Sequence, residues 1–345
     1  MLTGCAANDA AAPHDAGMPS GNEGGDDGGN GSGGKGGGGK EGGGSEDGGN
    51  ERRGDADGDG SGTDPHDDAG PCARPPCITV HNRCPVPLWT HAVSTVPIDD
   101  GHVRKLDPGR AWRYDALPPL GGGRIYAYYE EPSSLQDRVR LVSDKNQFVE
   151  MTIDTDPASG AWAQNYNVSY VDYVSLPVAM RATGTGCAET RCGAPFGAWL
   201  AALRGCPTDL RNASGGLATC TASYNYCITP DGAATYDTTR AYCTKMQAAH
   251  GFAGSAIYGG VFPDHPATEV AFWDGVAAWN RGTFAGDADE SHYYKVEPYN
   301  AYARWIHEQL ACSNVYAFST DDHQDKAGFV RCVSPELDVV WCPDG

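Results

Sequence analysis

Two carboxylates stand out by the company they keep. In "QFVEMTID", Val149, Met151 and Ile153 fall on one side of an alternating run, and Glu150, Thr152 and Asp154 fall on the other. That is a polar row on a strand whose reverse side is core. In "NYNVSYVDYVSLPVAM", from Asn165 to Met180, Asp172 sits inside a β-type run. Regular alternation puts Tyr166, Val168, Tyr170, Asp172, Val174 and Leu176 on one face, which is otherwise apolar. An ionised carboxylate there is costly unless it is paired or opens onto a cleft. If the two runs are neighbouring strands, Glu150 and Asp172 face one cleft, where two carboxylates can divide proton donation from proton abstraction. The residues alone also allow plainer roles: Glu150 as a solvated surface acid, and Asp172 as a partner of Arg124 or a turn cap.

Other chemistries find little support. No G-x-S-x-G nucleophile motif occurs. No CxxC pair occurs, and few histidines lie near the cysteines, so zinc is not expected. "DADGDG" (Asp55 to Gly60) matches the first half of an EF-hand loop, but its twelfth position is His66 rather than Glu, so calcium is not expected either. His307 and His323 are expected to be structural or at the surface. No cofactor and no metal is implied.

The elements that must hold the two carboxylates are short strands. "CITVHNRC", "VPLWTHAV", "RAWRYDAL", "RIYAYYE", "RVRLVS" and "QFVEMTID" are separated by turns such as "LDPGR" and "LPPLGGG". Regularly spaced short strands predict a sandwich or barrel. After Cys187 the pattern turns helical. "GAPFGAWLAALRGCP" has helical apolar spacing, and "YDTTRAYCTKMQAAHG" has an Asp/Thr cap and ends at Gly251. "PATEVAFWDGVAAWNRG" ends at Gly282, and "PYNAYARWIHEQL" places Tyr302, Trp305, Ile306 and Leu310 at helical spacing. Strands resume with "NVYAFS", "GFVRC" and "LDVVWCP", which are expected to rejoin the first sheet. Two bodies with a groove between them follow from this order, and such grooves hold ligands.

Composition divides the chain near residue 71. The first 71 residues carry 15 acids against four Lys or Arg, so they hold −11 of the net −20 and leave −9 to the rest. Poor in aromatic and β-branched residues, this Gly/acid segment is expected to be a disordered linker. Its acidity argues against nucleic acid as a partner. No run of 18 apolar residues is present to span a membrane. Twelve of the 13 cysteines lie in 72–345, an even set that predicts six disulfides and an oxidising compartment. The thirteenth, Cys5, ends "LTGC", which resembles the lipobox of bacterial lipoproteins and makes Cys5 the expected lipidation site. The protein is therefore expected outside the cytoplasm, anchored at an outer membrane or cell surface through Cys5, or secreted.

"ITVHNRCPVPLW", "LDPGRAWRYD", "GGGRIYA", "GCAETRC", "CPTDLR" and "ACSNVYAFSTDD" with the closing "VVWCP" resemble thaumatin-like proteins. "FVEMTID", Val171-Asp172 followed by "LP", and "YYKVEPYNAYARWIHE" with "VYAFSTDDH" are similar to the β-1,3-glucanases of glycoside hydrolase family 64, whose N-terminal barrel is thaumatin-like. Together these span 78 to 343. The resemblance implies a mainly β, thaumatin-like sandwich or barrel: a β core over 72–194 and 311–345, and a disulfide-rich, helix-containing subdomain over 195–310. It implies the pairs Cys84–Cys342, Cys187–Cys332 and Cys192–Cys312. Cys206–Cys220, Cys227–Cys243 and Cys72–Cys77 complete the set as expectations, since sequence alone does not fix connectivity.

The same resemblance implies endo-hydrolysis of β-1,3-glucan, with Glu150 as catalytic acid, Asp172 as catalytic base, and inversion at the anomeric carbon. Thr152, Asp154, Trp162 and Ser169 become candidates for binding sugar hydroxyls or stacking a ring. Tyr126 and Tyr128, alternating onto the face of Arg124, are similar candidates, and Arg124 resembles the cleft arginine of thaumatin-like proteins that would hold Asp172 ionised. Two positions depart from the plant pattern: Asn167 and Asn314 stand where plant members have Asp. The expected partner is β-1,3-glucan and the expected state a monomer. The competing expectations are a non-catalytic thaumatin-like lipoprotein that binds β-glucan at the surface, and a surface lipoprotein that binds protein on its disulfide-stiffened frame.

Overall fold

Alternating apolar side chains build most of this fold. The computed structural model describes residues 72–344 apart from 95, 97, 99–101, 133–145, 185, 208–210, 213–218, 223–226, 228–240, 311, 313–314, 322 and 324–328. Cys5, "DADGDG", the Gly/acid segment, "RVRLVS" and Asn314 lie outside the described residues.

The strands are β1 (Cys77–Asn82), β2 (Leu88–Val93), β3 (Arg104–Leu106), β4 (Ala111–Tyr114), β5 (Leu120–Tyr128), β6 (Asn146–Thr155), β7 (Trp162–Val168), β8 (Tyr173–Val174), β9 (Val178–Ala182), β10 (Glu189–Cys192), β11 (Arg211–Asn212), β12 (Thr219–Thr221), β13 (Val330–Val333) and β14 (Glu336–Trp341). One sheet has the order β10-β9-β14-β1-β4, a second β13-β7-β6-β5-β2-β3, and a small third β11-β12-β8. The inward faces of the two large sheets share one core, with Val80, Val339 and Met180 from the first meeting Ile125, Val149 and Val168 from the second. This is a mainly β sandwich. The closing strands rejoin it as expected: β14 lies parallel to β1, and β13 runs antiparallel to β7.

Two parts of the strand reading change. Among its described residues, 315–319, "NVYAFS" forms no strand, and Tyr316 makes a bridge to Ser169. The "GGG" after Leu120 is not all turn, because Leu120–Tyr128 is a single strand with a register shift between Leu120 and Gly123.

The described helices fall between residues 196 and 309. They are α1 (Phe196–Leu203), α2 (Ala241–His250), α3 (Gly254–Gly259), α4 (Val270–Arg281) and α5 (Ala301–Arg304), the last continuing as a π-helical turn over Trp305–Gln309. The Asn300 carboxamide caps α5 by accepting from the Ala303 N–H. Gly282 ends α4 at φ +68°, and a Cβ there would lie 2.5 Å from the Val296 carbonyl oxygen, so both the turn and the close approach require glycine.

The helices do not stand apart as one body. Trp199 of α1, Tyr302 of α5 and Trp305 are buried in the same core as the sandwich. A smaller separate core holds Cys243 and Met246 of α2, Ile257 of α3 and Val276 of α4. The twelve cysteines pair as Cys72–Cys77, Cys84–Cys342, Cys187–Cys332, Cys192–Cys312, Cys206–Cys220 and Cys227–Cys243.

Candidate active site

The β5-β6-β7 register fixes what surrounds Glu150. Val149, Met151 and Ile153 are buried in the core, so Glu150, Thr152 and Asp154 face outward, each half-buried. Directly across from Glu150 lie Arg124 on β5 and Asn167 on β7. Arg124 donates from Nε (3.0 Å) and Nη2 (2.8 Å) to Glu150 Oε1. Its guanidinium also stacks 4.9 Å from the Phe148 ring centre. Burial works against the charge on Arg124, but Glu150 and Tyr126 outweigh it and hold the guanidinium above its ordinary range. Both contacts fall on Oε1.

A second polar cluster continues the row. Asp154 Oδ2 accepts from Arg331 Nη1 at 3.0 Å and from Asn165 Nδ2 at 3.4 Å, and Arg331 also donates to Asn165 Oδ1 at 2.8 Å. Thr152 sits between the two ion pairs, opposite Asn165. Arg331 and Asn165 were missed from sequence. The signal for Asn165 is present: in "WAQNYNV", Trp162, Gln164, Tyr166 and Val168 alternate inward, which turns Asn165 and Asn167 toward Glu150.

Asp172 is not on a continuous strand. β7 ends at Val168, the chain bends at Val171 and Asp172, and β8 begins at Tyr173. Tyr166, Val168, Tyr170, Val174 and Leu176 enter the core as alternation predicts, while the bend leaves Asp172 half-buried. The bend is clamped on several sides. Tyr170 N–H donates to Tyr316 O and Ala222 N–H to Asp172 O. The Tyr302 hydroxyl of α5 donates to Tyr170 O, and Tyr173 OH donates to Asn146 Oδ1. The negative charge of Asp172 reaches both phenols. Burial first, and then Asp172, push the Tyr302 hydroxyl up; burial, Tyr126 and Asp172 do the same to Tyr173. Arg124 pairs with Glu150, and the residue opposite Glu150 on β7 is Asn167.

Four further candidates, Trp162, Ser169, Tyr126 and Tyr128, pack against neighbouring parts of the fold. Trp162 begins β7 on the core-facing side and packs against the main core, because it shares its phase with Tyr166 and Val168. Ser169 is fully buried, and its carbonyl accepts from Gln147 Nε2 at 3.0 Å. Tyr126 and Tyr128 share the face of Arg124, but both are buried in an aromatic cluster with Phe148 and Tyr173. Tyr173 meets Phe148 edge-on at 5.9 Å, so the segment after the bend covers this end of the sheet.

His307 and His323 join a buried network instead. Arg281, at the end of α4, donates from Nη2 to Asp321 Oδ1 (3.1 Å) and Asp321 O (2.8 Å), and from Nη1 to His323 O (3.0 Å). His307 Nε2 lies 3.1 Å from Asp321 Oδ2, and its Nδ1 lies 2.7 Å from the Tyr294 hydroxyl. His323 Nδ1 lies 3.0 Å from Asp274 Oδ1. Among the described residues, one grouping has metal-ligand types, Cys72, Cys77 and Asp115, but its two sulfurs are joined in a disulfide.

Comparison with known proteins supplies the context for this geometry. The β-1,3-glucanase family model (glycoside hydrolase family 64) matches residues 265–341. That stretch contains Arg281, His307 and Asp321 but neither Glu150 nor Asp172. No curated protein matches the sequence. Solved structures share the fold. A β-1,3-glucanase domain of family 64 from Clostridium beijerinckii matches with TM-score 0.54 and 14% identity, over 77% of this chain and 97% of that one. A laminaripentaose-producing β-1,3-glucanase in complex with laminaritetraose matches with TM-score 0.55 and 15% identity, over 77% and 98%. The laminaripentaose-producing enzyme of Paenibacillus barengoltzii matches with TM-score 0.52 and 16% identity, over 78% and 75%. By the sequence of residues 265–341 and by its fold, this chain therefore resembles the β-1,3-glucanases of glycoside hydrolase family 64.

Proposed function

We propose that the protein is an extracytoplasmic glycoside hydrolase that cleaves β-1,3-glucan internally by an inverting, two-carboxylate mechanism. The observation that carries this reading is Glu150, held outward on β6 by Arg124, with Asp172 at a clamped bend just beyond the neighbouring strand. Glu150 donates a proton to the glycosidic oxygen as its bond to the anomeric carbon breaks. Asp172 takes a proton from the water that attacks that carbon from the opposite face, so the configuration inverts. Thr152 and Asp154, half-buried on the polar face beside Glu150, offer hydrogen bonds to sugar hydroxyls. The six disulfides support a place outside the cytoplasm.

One observation favours a second reading, a non-catalytic β-glucan binder: Arg124 satisfies Glu150 within the sheet, as a structural cross-strand pair would. Release of reducing ends from laminarin separates the two. Glu150→Gln and Asp172→Asn should each lower kcat by about 10²–10⁴-fold, the ordinary worth of a positioned acid or base, while both variants still sediment with curdlan. Undiminished hydrolysis by Glu150→Gln would sink the enzymatic reading, and curdlan binding without new reducing ends in the wild type would establish the binder.

A further inference from the structure

Gln147 is the polar exception on the core side of β6. It shares its face with Val149, Met151 and Ile153 and is fully buried. A buried carboxamide is costly unless its polar atoms are bonded, and here both ends are. Its Nε2 donates to Ser169 O at 3.0 Å, and its Oε1 accepts from Ser175 N–H at 3.0 Å. A carbonyl can only accept and an N–H can only donate, so these two partners fix which way the amide points.

The partners flank Asp172, which lies midway between them in the chain. Pairing between β6 and β7 reaches Val149 and Val168. Beyond Val168 the chain leaves the ladder, and the Gln147 side chain takes over the link to β6 by spanning the bend from one flank to the other. Asn146, the preceding residue, reinforces that link: its carbonyl oxygen accepts from Ser175 Oγ, and its Oδ1 from the Tyr173 hydroxyl. Ser175 is held from its other side as well, its carbonyl accepting from Tyr129 OH at 3.0 Å and from Trp199 Nε1 at 2.9 Å. Tyr316, Ala222 and Tyr302 tie the bend to distant segments. Asn146 and Gln147 tie it to the strand that carries Glu150.

The separation of two carboxylates decides what they can do to a glycosidic bond. Granted the two-carboxylate hydrolysis proposed above, on which this role rests, we propose that Gln147 is a positioning residue that sets where Asp172 stands relative to Glu150. Buried in the core, it acts through the backbone on both flanks of the bend. Because it bonds both flanks at once, neither can shift along β6 without breaking one of its bonds.

Laminarin kinetics with the full chain and two variants test this. Gln147→Met keeps the side-chain length and loses both bonds. Its kcat should fall by about 10²-fold, the cost of misplacing a reacting group by on the order of 1 Å. Its KM should stay within about twofold of wild type, since the polar face at Thr152 and Asp154 is untouched. Gln147→Glu, kept neutral by burial at about pH 5, retains one donor and one acceptor and should bring kcat to within about threefold of wild type at that pH. Circular dichroism at the assay temperature checks that each variant is folded. An unchanged kcat in Gln147→Met overturns the positioning role and leaves the glucanase reading standing. A loss in Gln147→Met that Gln147→Glu does not relieve overturns it too, because the role lies in the two bonds. A wild type that releases no reducing ends removes the glucanase reading itself, and the catalytic role of Gln147 with it. If Gln147→Met does not fold, Gln147→Asn, a methylene too short to span both partners, carries the same comparison.

Discussion

Replacing Arg281 with Met tests the network that ties α4 to the segment around Asp321. Arg281 and Asp321 are both fully buried, and the guanidinium lies between the rings of Tyr293 and Phe318, at 5.2 and 5.5 Å. The substitution keeps most of the side-chain volume but removes the hydrogen bonds to Asp321 and His323. It leaves Asp321 with His307 and the Ala317 N–H as partners. Removing one partner of a buried pair costs about 3–5 kcal/mol, mainly because the other charge stays buried. At about 2–4 °C per kcal/mol for a domain of this size, the melting temperature should fall by roughly 6–20 °C. Urea unfolding should show a lower midpoint at nearly constant slope. Replacing both partners, Arg281→Met with Asp321→Leu, should recover part of the loss, because no uncompensated charge remains.

The acid limb gives an independent reading of the same network. Burial alone would raise the Asp321 carboxyl, but His307, Arg281 and the Ala317 N–H outweigh it and hold it below its ordinary value. A group depressed in the folded state stabilises the fold above its unfolded pKa, about 3.9 for Asp, and that contribution is lost as pH falls through the folded value. Melting temperature should therefore drop as the wild type is taken below about pH 4, and Asp321→Asn should flatten that limb. A melting temperature for Arg281→Met within about 2 °C of wild type at pH 7 would refute the role given to the network.

Gly282→Ala should destabilise by more than about 1 kcal/mol, since positive φ alone costs that much and the added Cβ meets the Val296 carbonyl; chemical denaturation reads this directly. Removing the Cys84–Cys342 bridge, whose loop spans 258 residues, should cost about 5 kcal/mol. Removing Cys72–Cys77, whose loop spans 5, should cost about 2 kcal/mol, a contrast visible in paired Cys→Ser double variants. Trp162→Ala should lower stability by about 1–3 kcal/mol, less than a fully buried Trp, and leave curdlan affinity unchanged; a selective loss of affinity would return Trp162 to the ligand-binding face.

Alternation is a local property, and the sequence determined what depends on it. The run from Phe148 to Ile153 could face its apolar residues only one way, so Glu150, Thr152 and Asp154 turn outward wherever the strand is placed. Gly251 and Gly282 close their helices because the residue after a last helical turn favours left-handed backbone. The even cysteine set, with the resemblance, led to the six pairs. Tertiary structure decided the partners. Arg124 and Glu150 are 26 residues apart, and only the β5–β6 register sets one across from the other. Asp172 escapes its apolar face because the chain bends at 171–172, and that bend is held by Tyr316, Ala222 and Tyr302, all from distant segments. Ser169 and Tyr126, polar-capable by type, are buried by what packs over them. Arg281 and Asp321 form a buried ion pair 40 residues apart that no local pattern announces. Each of these depends on which surfaces meet, and a one-dimensional pattern does not contain that until the sheets close on a common core.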